Sequence, residues 1–240
     1  MDVEINLKKI ILFIGNYGSG KTEVAVNFAI SQVKQGKNVR LVDLDLVNPY
    51  FRSRECRQIL EDQGVRVILP GDGYLNADLP ILAPEVRGSI EREDGVTILD
   101  VGGDNVGATV LGSLAASISK AGYDMLLVHN ARRPFTDTVE GSVTIAREIE
   151  AASRLKLSGV IGNTHLMDDT CVEVLYEGCE KSRQVSQSLG LPFLFISAER
   201  RLLDGLDLKK LGVPVLPLTR LLLPPWRRKE KLGPANFLLG

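Results

Sequence analysis

The chain has 240 residues, 44% of them apolar and 25% charged, which fits one ordinary α/β domain and excludes disordered, collagenous and disulfide-stapled architectures. Twenty-nine basic against thirty acidic residues leave a formal charge of -1, so no global field draws in nucleic acid or membrane. Three cysteines without a CxxC or CxC pair, and an opening MDVEINLKK with no apolar stretch, point to a reducing compartment, the cytoplasm.

In chain order, short apolar runs predict strands at Ile10–Ile14, Val39–Val42, Val65–Leu69, Val96–Leu99, Met125–Val128, Gly159–Ile161, Phe193–Ile196 and Val213–Leu216. Helical periodicity between them covers Lys21–Lys34, Pro49–Asp62, Thr138–Leu155 and Thr170–Leu189. Strands apolar on both faces and separated by helices run mostly parallel, because each crossover needs a dozen or more residues. The expectation is a doubly wound, mostly parallel sheet with helices on both faces, in one domain spanning 1–240. Ligands in such sheets sit at the carboxyl ends of strands, so function is sought in residues that follow strands. Two stretches break the rhythm: a proline-rich segment, Pro70–Glu85, expected to loop near the site mouth, and a basic tail from about residue 221 to 240.

The strongest signal is GNYGSGKT, Gly15–Thr22, a full match to G-x-x-x-x-G-K-[ST], set between an apolar strand and a helix. Gly15, Gly18 and Gly20 let the backbone curl into a nest of N–H groups, with Asn16, Tyr17 and Ser19 completing the loop around phosphate oxygens. The helix that follows adds its positive end. Lys21 is expected at the β- and γ-phosphates and the Thr22 hydroxyl at Mg²⁺.

Carboxylates follow the next strands. Asp43 and Asp45 in VRLVDLDLVNPYF are two residues apart on an extended segment and share a face. Asp100 in VTILDVGGD fits the residue that holds Mg²⁺ through water, and its DxxG ends at Gly103, whose N–H would sense a γ-phosphate.

These three segments resemble the MinD/ParA group of P-loop ATPases (the CobQ/CobB/MinD/ParA set of the SIMIBI class), relatives of the nitrogenase iron protein. The resemblance implies that Asp45 orients the attacking water, that Asp43 supports Mg²⁺ or its waters, and that Asn163 in GVIGNTHL reads the base. It also implies ATP over GTP, because Leu166 stands where a guanine reader carries aspartate. A homodimer and an unidentified protein partner are implied as well. Two departures qualify the match. The second loop lysine of the group is replaced by Asn16, so the missing charge comes from Arg52, Arg54, Arg132 or Arg133, or from a partner, or hydrolysis is slow. No cysteine follows the DxxG, so no iron–sulfur cluster is expected, and Cys56, Cys171 and Cys179 read as small core residues. His129 and His165 read as residues satisfying local hydrogen bonds. In the tail, Pro224-Pro225 precedes the run from Trp226 to Lys231 and Gly233-Pro234 follows it, which argues against a membrane-anchoring helix or a nucleic-acid arm.

The expected function is a Mg²⁺-dependent ATP-binding hydrolase acting as a nucleotide-driven switch. A small-molecule kinase or ATP-dependent ligase is the first alternative. An ATP-sensing module with negligible hydrolysis is the second.

Overall fold

The structure, a computed structural model, describes residues 5, 7–45, 56–69, 84–92, 94–103 and 105–222. Eight strands among them form one sheet: β1 (Ile10–Ile14), β2 (Val39–Leu44), β3 (Val65–Ile68), β4 (Val96–Val101), β5 (Tyr123–His129), β6 (Gly159–Gly162), β7 (Phe193–Glu199) and β8 (Val215–Leu218). Their order is β3-β2-β4-β1-β5-β6-β7-β8, and every recorded pair is parallel. The helices are α1 (Lys21–Lys34), α2 (Arg57–Asp62), α3 (Pro84–Glu91), α4 (Asn105–Ala121), α5 (Val139–Ser153), α6 (Val172–Leu189) and α7 (Leu208–Leu211). This is the expected α/β fold of P-loop nucleoside triphosphatases, with helices on both faces of a parallel sheet.

The two-residue period of β1 shows why both faces must be covered. Ile10, Leu12 and Ile14 enter one core, packed with Val110, Leu111 and Leu114 of α4 and Ala146 of α5. Ile11 and Phe13 enter the other, with Val24, Ala25 and Phe28 of α1. There Phe13 meets Phe28 edge to face at 5.4 Å, and Phe28 stacks on Phe195 at 6.2 Å. Because β1 lies between β4 and β5, the loops leaving these three strands open side by side at one end of the sheet.

Several boundaries differ from the expectations. Helix α4 lies outside the helical periods of the sequence, since Gly107 and Gly112 dilute its periodicity. Both glycines serve close approach instead: a Cβ on Gly107 would lie 2.5 Å from the Gly102 carbonyl oxygen, and one on Gly112 3.0 Å from that of Ala152. Strand β8 starts two residues later than expected, after Gly212 closes α7 in the left-handed region, and its Pro217 is tolerated because β8 is an edge. Of the helix expected over Pro49–Asp62, only Arg57–Asp62 is helical among the described residues, and Arg52 and Arg54 lie outside them. Most of Pro70–Glu85 also lies outside, its end forming the start of α3. Leu222 at the head of the expected tail is 5% exposed and belongs to the α1 core, whereas the Trp226–Lys231 cluster is outside the described residues. Cys56 and Cys179 are buried as expected, but Cys171 is exposed at the start of α6 and is no core residue. No helix among the described residues is long and apolar enough to cross a membrane.

Candidate functional site

The turn from β1 into α1 carries three positive φ angles in six residues, at Gly15 (151°), Gly18 (73°) and Gly20 (84°). Gly20 also has no room for a side chain, because a Cβ there would strike the Asn163 amide. Gly20 caps α1 without any side-chain acceptor, so first-turn N–H groups remain available to an anion. The Asn16 carbonyl accepts from Ser19 N–H and from Lys21 Nζ, both at 3.2 Å, which holds the nearly buried lysine over the loop. Gly103, at the end of the DxxG, approaches so closely that a Cβ would lie 2.6 Å from Lys21 Nζ and 3.0 Å from Tyr17 backbone atoms.

Strands β2 and β4 are neighbours in a register that pairs Asp43 with Asp100. Both carboxyls are fully buried, and Asp43 Oδ1 accepts from Asp45 N–H at 3.0 Å. Neither oxygen of Asp100 has a hydrogen-bond partner among the described residues. Burial pushes the Asp100 carboxyl well above the usual range and the Asp43 charge adds to the rise, while the nearby Thr22 hydroxyl and Lys21 ammonium offset it in part. Orphaned carboxylate oxygens beside a buried hydroxyl are a donor set that suits a small hard cation. No group of three or more His, Cys, Asp or Glu side chains with metal-holding geometry occurs among the described residues. A cation here would thus rely on waters and phosphate oxygens beside Thr22, Asp43 and Asp100, the usual state of Mg²⁺ in nucleotide sites.

Lys21, Thr22, Asp45, Gly18, Gly20, Gly103 and Asn163 all line one cavity of about 500 Å³, together with Tyr17. That volume is in the range of sites for drug- and cofactor-sized ligands. Gly15, Asn16, Ser19, Asp43 and Asp100 do not line it, and Gly15 is packed so that a Cβ would meet the Val128 carbonyl oxygen at 2.5 Å. Asn163 follows β6 and spans two elements: its Nδ2 donates to Ser19 O at 2.7 Å, and its Oδ1 accepts from Ser197 Oγ on β7 at 2.7 Å. An amide has four polar valences, so two remain after these bonds.

The opposite wall comes from residues the motifs did not indicate. Leu218 at the end of β8 and Arg220 and Leu222 in the segment after it line the cavity. That segment is tied to α1 by a reciprocal pair, Asn27 Nδ2 to Thr219 O at 3.0 Å and Thr219 N–H to Asn27 Oδ1 at 2.8 Å. Next to Thr22, the Glu23 carboxylate accepts from Leu221 N–H at 2.7 Å and Leu222 N–H at 3.2 Å. Burial raises the Glu23 pKa, against the pull of those two N–H groups. Arg220 donates to Asp168 at 2.6 Å and also to Glu199, and Arg201 holds the other Glu199 oxygen at 2.7 Å. The one local sign of this wall was an acid, Glu23, directly after the phosphate motif. Its partners lie nearly 200 residues away, beyond any window of periodicity.

The two histidines part company. His129 is buried and bonded as expected, Nδ1 to Ser182 Oγ at 2.8 Å and Nε2 to Thr136 O at 3.0 Å, and burial lowers its pKa to about 4. His165 lines the cavity, and burial followed by the charges of Arg133 and Arg220 lowers it to about 4 as well. Arg132 turns away to pair with Glu177, whereas Arg133 lines the cavity.

No family model matches the sequence, and no curated protein is significantly similar to it. Among solved structures the chain is similar to FtsY from Mycoplasma mycoides, at 22% identity and a TM-score of 0.55 over 88% of this chain and 66% of that one. Cell division protein FtsY from Thermotoga maritima gives 21% and 0.53 over 82% and 65%. Signal recognition particle 54 kDa protein from Aeropyrum pernix, in complex with GDP, gives 20% and 0.54 over 81% and 42%. The chain thus spans just under two thirds of these two FtsY chains and less than half of the 54 kDa protein. At these identities the likeness establishes the fold, and the narrower resemblance to the MinD/ParA group rests on the motifs.

Proposed function

We propose that the chain is a Mg²⁺-dependent ATP-binding protein and ATPase of MinD/ParA type, a nucleotide-driven switch acting on a protein partner in the cytoplasm. One observation carries the reading: Lys21, Thr22, Asp45, Gly103 and Asn163, from four separate strand ends, converge on a single cavity. The loop N–H groups and Lys21 neutralise the β- and γ-phosphates, and Asp45 orients water for attack on the γ-phosphorus. The bond from that phosphorus to the bridging oxygen breaks, giving ADP and inorganic phosphate. Mg²⁺, when bound beside Thr22, Asp43 and Asp100, would supply charge stabilisation for the departing diphosphate. Gly103, in contact with Lys21 and Tyr17, conveys the presence of the γ-phosphate to the segment after β4.

Adenine is favoured over guanine at the base end. Guanine needs a carboxylate for its N1–H and N2 amino group, but Leu166 stands at the expected place and is 41% exposed. The carboxylates on that side, Asp168 and Glu199, are engaged by Arg220 and Arg201. Two exposed aromatics, Tyr17 and Phe135, sit on loops tied by the bond from Asn16 Nδ2 to Pro134 O, which supports docking of a second copy. The decisive test is calorimetric titration with Mg·ATP and Mg·GTP, beside Lys21→Ala. The reading requires ATP to bind at least tenfold more tightly than GTP and Lys21→Ala to abolish binding; unaltered affinity in the variant refutes the site.

A second reading, phosphoryl transfer to a small acceptor, draws on a cavity of about 150 Å³ between Asn16, Gly102–Gly103 and Glu148. ATP consumption that begins only on adding a metabolite pool would favour it over hydrolysis.

A further inference from the structure

We infer that Arg133 is a phosphate-site residue, its Nε fixing the Gly18 carbonyl of the phosphate loop while its terminal amino groups bring positive charge to the phosphate chain of a bound nucleotide. The inference rests on the nucleotide-binding reading and names a residue outside the three motifs.

Arg133 Nε donates to Gly18 O at 2.9 Å, across 115 residues of chain. The guanidinium is so close to the glycine that a Cβ on Gly18 would meet Nε at 2.9 Å and Cζ at 3.0 Å. A carbonyl held in this direction fixes the plane of the peptide it shares with Ser19, whose N–H donates back to Asn16 O at 3.2 Å, and so helps to hold the loop's curl. The loop that delivers the arginine is itself locked. Thr136 Oγ1 donates to Asn130 O at 2.8 Å, Thr136 N–H to Arg133 O at 3.1 Å, and Asn16 Nδ2 to Pro134 O at 2.9 Å.

Charge makes the second half of the case. Among the described residues no carboxylate pairs with Arg133, while its neighbour Arg132 pairs with Glu177 and the other cavity arginine, Arg220, pairs with Asp168 and Glu199. An arginine with no carboxylate partner among the described residues, lining the same cavity as Lys21, sets up a field that an anion would relieve. His165 records that field, its proton affinity being lowered by Arg133 and Arg220 after burial. A planar guanidinium can spend one N–H on the carbonyl and keep four for phosphate oxygens, which a lysine ammonium cannot do in the same geometry.

The experiment is calorimetric titration of the full chain with Mg·ATP and with Mg·ADP in three forms: wild type, Arg133→Gln and Arg133→Lys. Gln keeps a planar donor for Gly18 and removes the charge; Lys keeps the charge. Expected is a loss of roughly 10–100-fold in Arg133→Gln, as for a charged hydrogen bond removed, with a smaller loss in Arg133→Lys, which keeps the charge but not the planar fork. Two results overturn the inference: Arg133→Gln binding within twofold of wild type, or both variants weakening alike, as a mere packing role predicts. Wild type failing to bind either nucleotide would instead remove the functional reading, and this inference with it.

Discussion

The two ends of the cavity are built on different principles. At the end proposed for the phosphates, each residue stands close to a strand end: Gly15–Thr22 after β1, Asp43 near the end of β2 and Asp45 just after it, Asp100 near the end of β4 and Gly103 just after it. Parallel pairing then brings these ends together without further instruction, since Asp43 and Asp100 are partners in register. At the end proposed to take the nucleoside, the wall is a segment with little regular structure, Thr219–Leu222, held by side chains of α1 about 190 residues earlier. The first kind of site is dictated by backbone geometry and tolerates almost no change. The second depends on a few side-chain-to-backbone bonds and is graded in its response.

The largest expected effect falls on the phosphate end. Gly20→Val places a β-branched residue at φ 84°, against the Asn163 amide. Nucleotide affinity should fall more than about 100-fold, because loop N–H groups and the first turn of α1 move together. Strain of this type costs about 1–3 kcal/mol, so thermal unfolding should also occur several degrees lower. A variant that binds ATP normally would break the claim that loop geometry is strict.

That contrast also accounts for how much could be read before the structure. GNYGSGKT, DLD and DVGGD were legible because glycine freedom, a lysine and acids after strands are local signals with one economical meaning. The sheet followed from apolar runs separated by helical periods. Helix α4 was hidden because Gly107 and Gly112 answer to neighbouring backbones and not to helix propensity. Glu23, Asn27 and Arg220 were hidden for another reason: their partners are main-chain groups and counter-charges far along the chain, and no period marks them. Arg133 was visible only as one of four candidate cations, and its closure on Gly18 singles it out.

His129 links two of the loops involved: its carbonyl accepts from Asn163 N–H, and its ring Nε2 bonds the Thr136 carbonyl of the turn carrying Arg133. Its folded pKa of about 4 lies below the unfolded value of 6.5. The unfolded chain therefore takes up a proton that the folded one refuses, and stability present above pH 6.5 is lost as pH falls toward 4. The full loss is about 3 kcal/mol, of which about 2 appears by pH 5. His165 titrates in the same window. Denaturant melts between pH 7.5 and 5 should show the decline, and His129→Gln should remove roughly half of it. An unchanged slope would free His129 from this role.

A smaller effect sharpens the nucleoside side. Glu23→Ala leaves the Leu221 and Leu222 N–H groups without their acceptor, at a place where Leu222 is 5% exposed. Loss of such acceptors costs about 2 kcal/mol. Amide exchange should accelerate at Leu221 and Leu222 first, and ATP affinity should weaken by several-fold, not vanish. Complete loss of binding would mean that this wall is as strict as the loop, and the contrast between the two ends would collapse.

The smallest effect has the opposite sign. Asp100 carries a raised pKa, with burial first and Asp43 second among its causes, so without a cation its ionised form works against the fold. For a group raised in this way, the stabilising contribution is present below its unfolded value of 3.8 and is lost as pH rises through the folded value. Asp100→Asn keeps the shape without an ionisable carboxyl facing Asp43, so the nucleotide-free protein should become more stable at neutral pH. Added Mg²⁺ and ATP should then stabilise the variant less than they stabilise wild type, since a ligand contributes only through its differential affinity for the folded state. The two melts together separate the roles. A variant destabilised without ligand would show that Asp100 is a structural carboxylate, and one fully responsive to Mg·ATP would show that the cation does not need it.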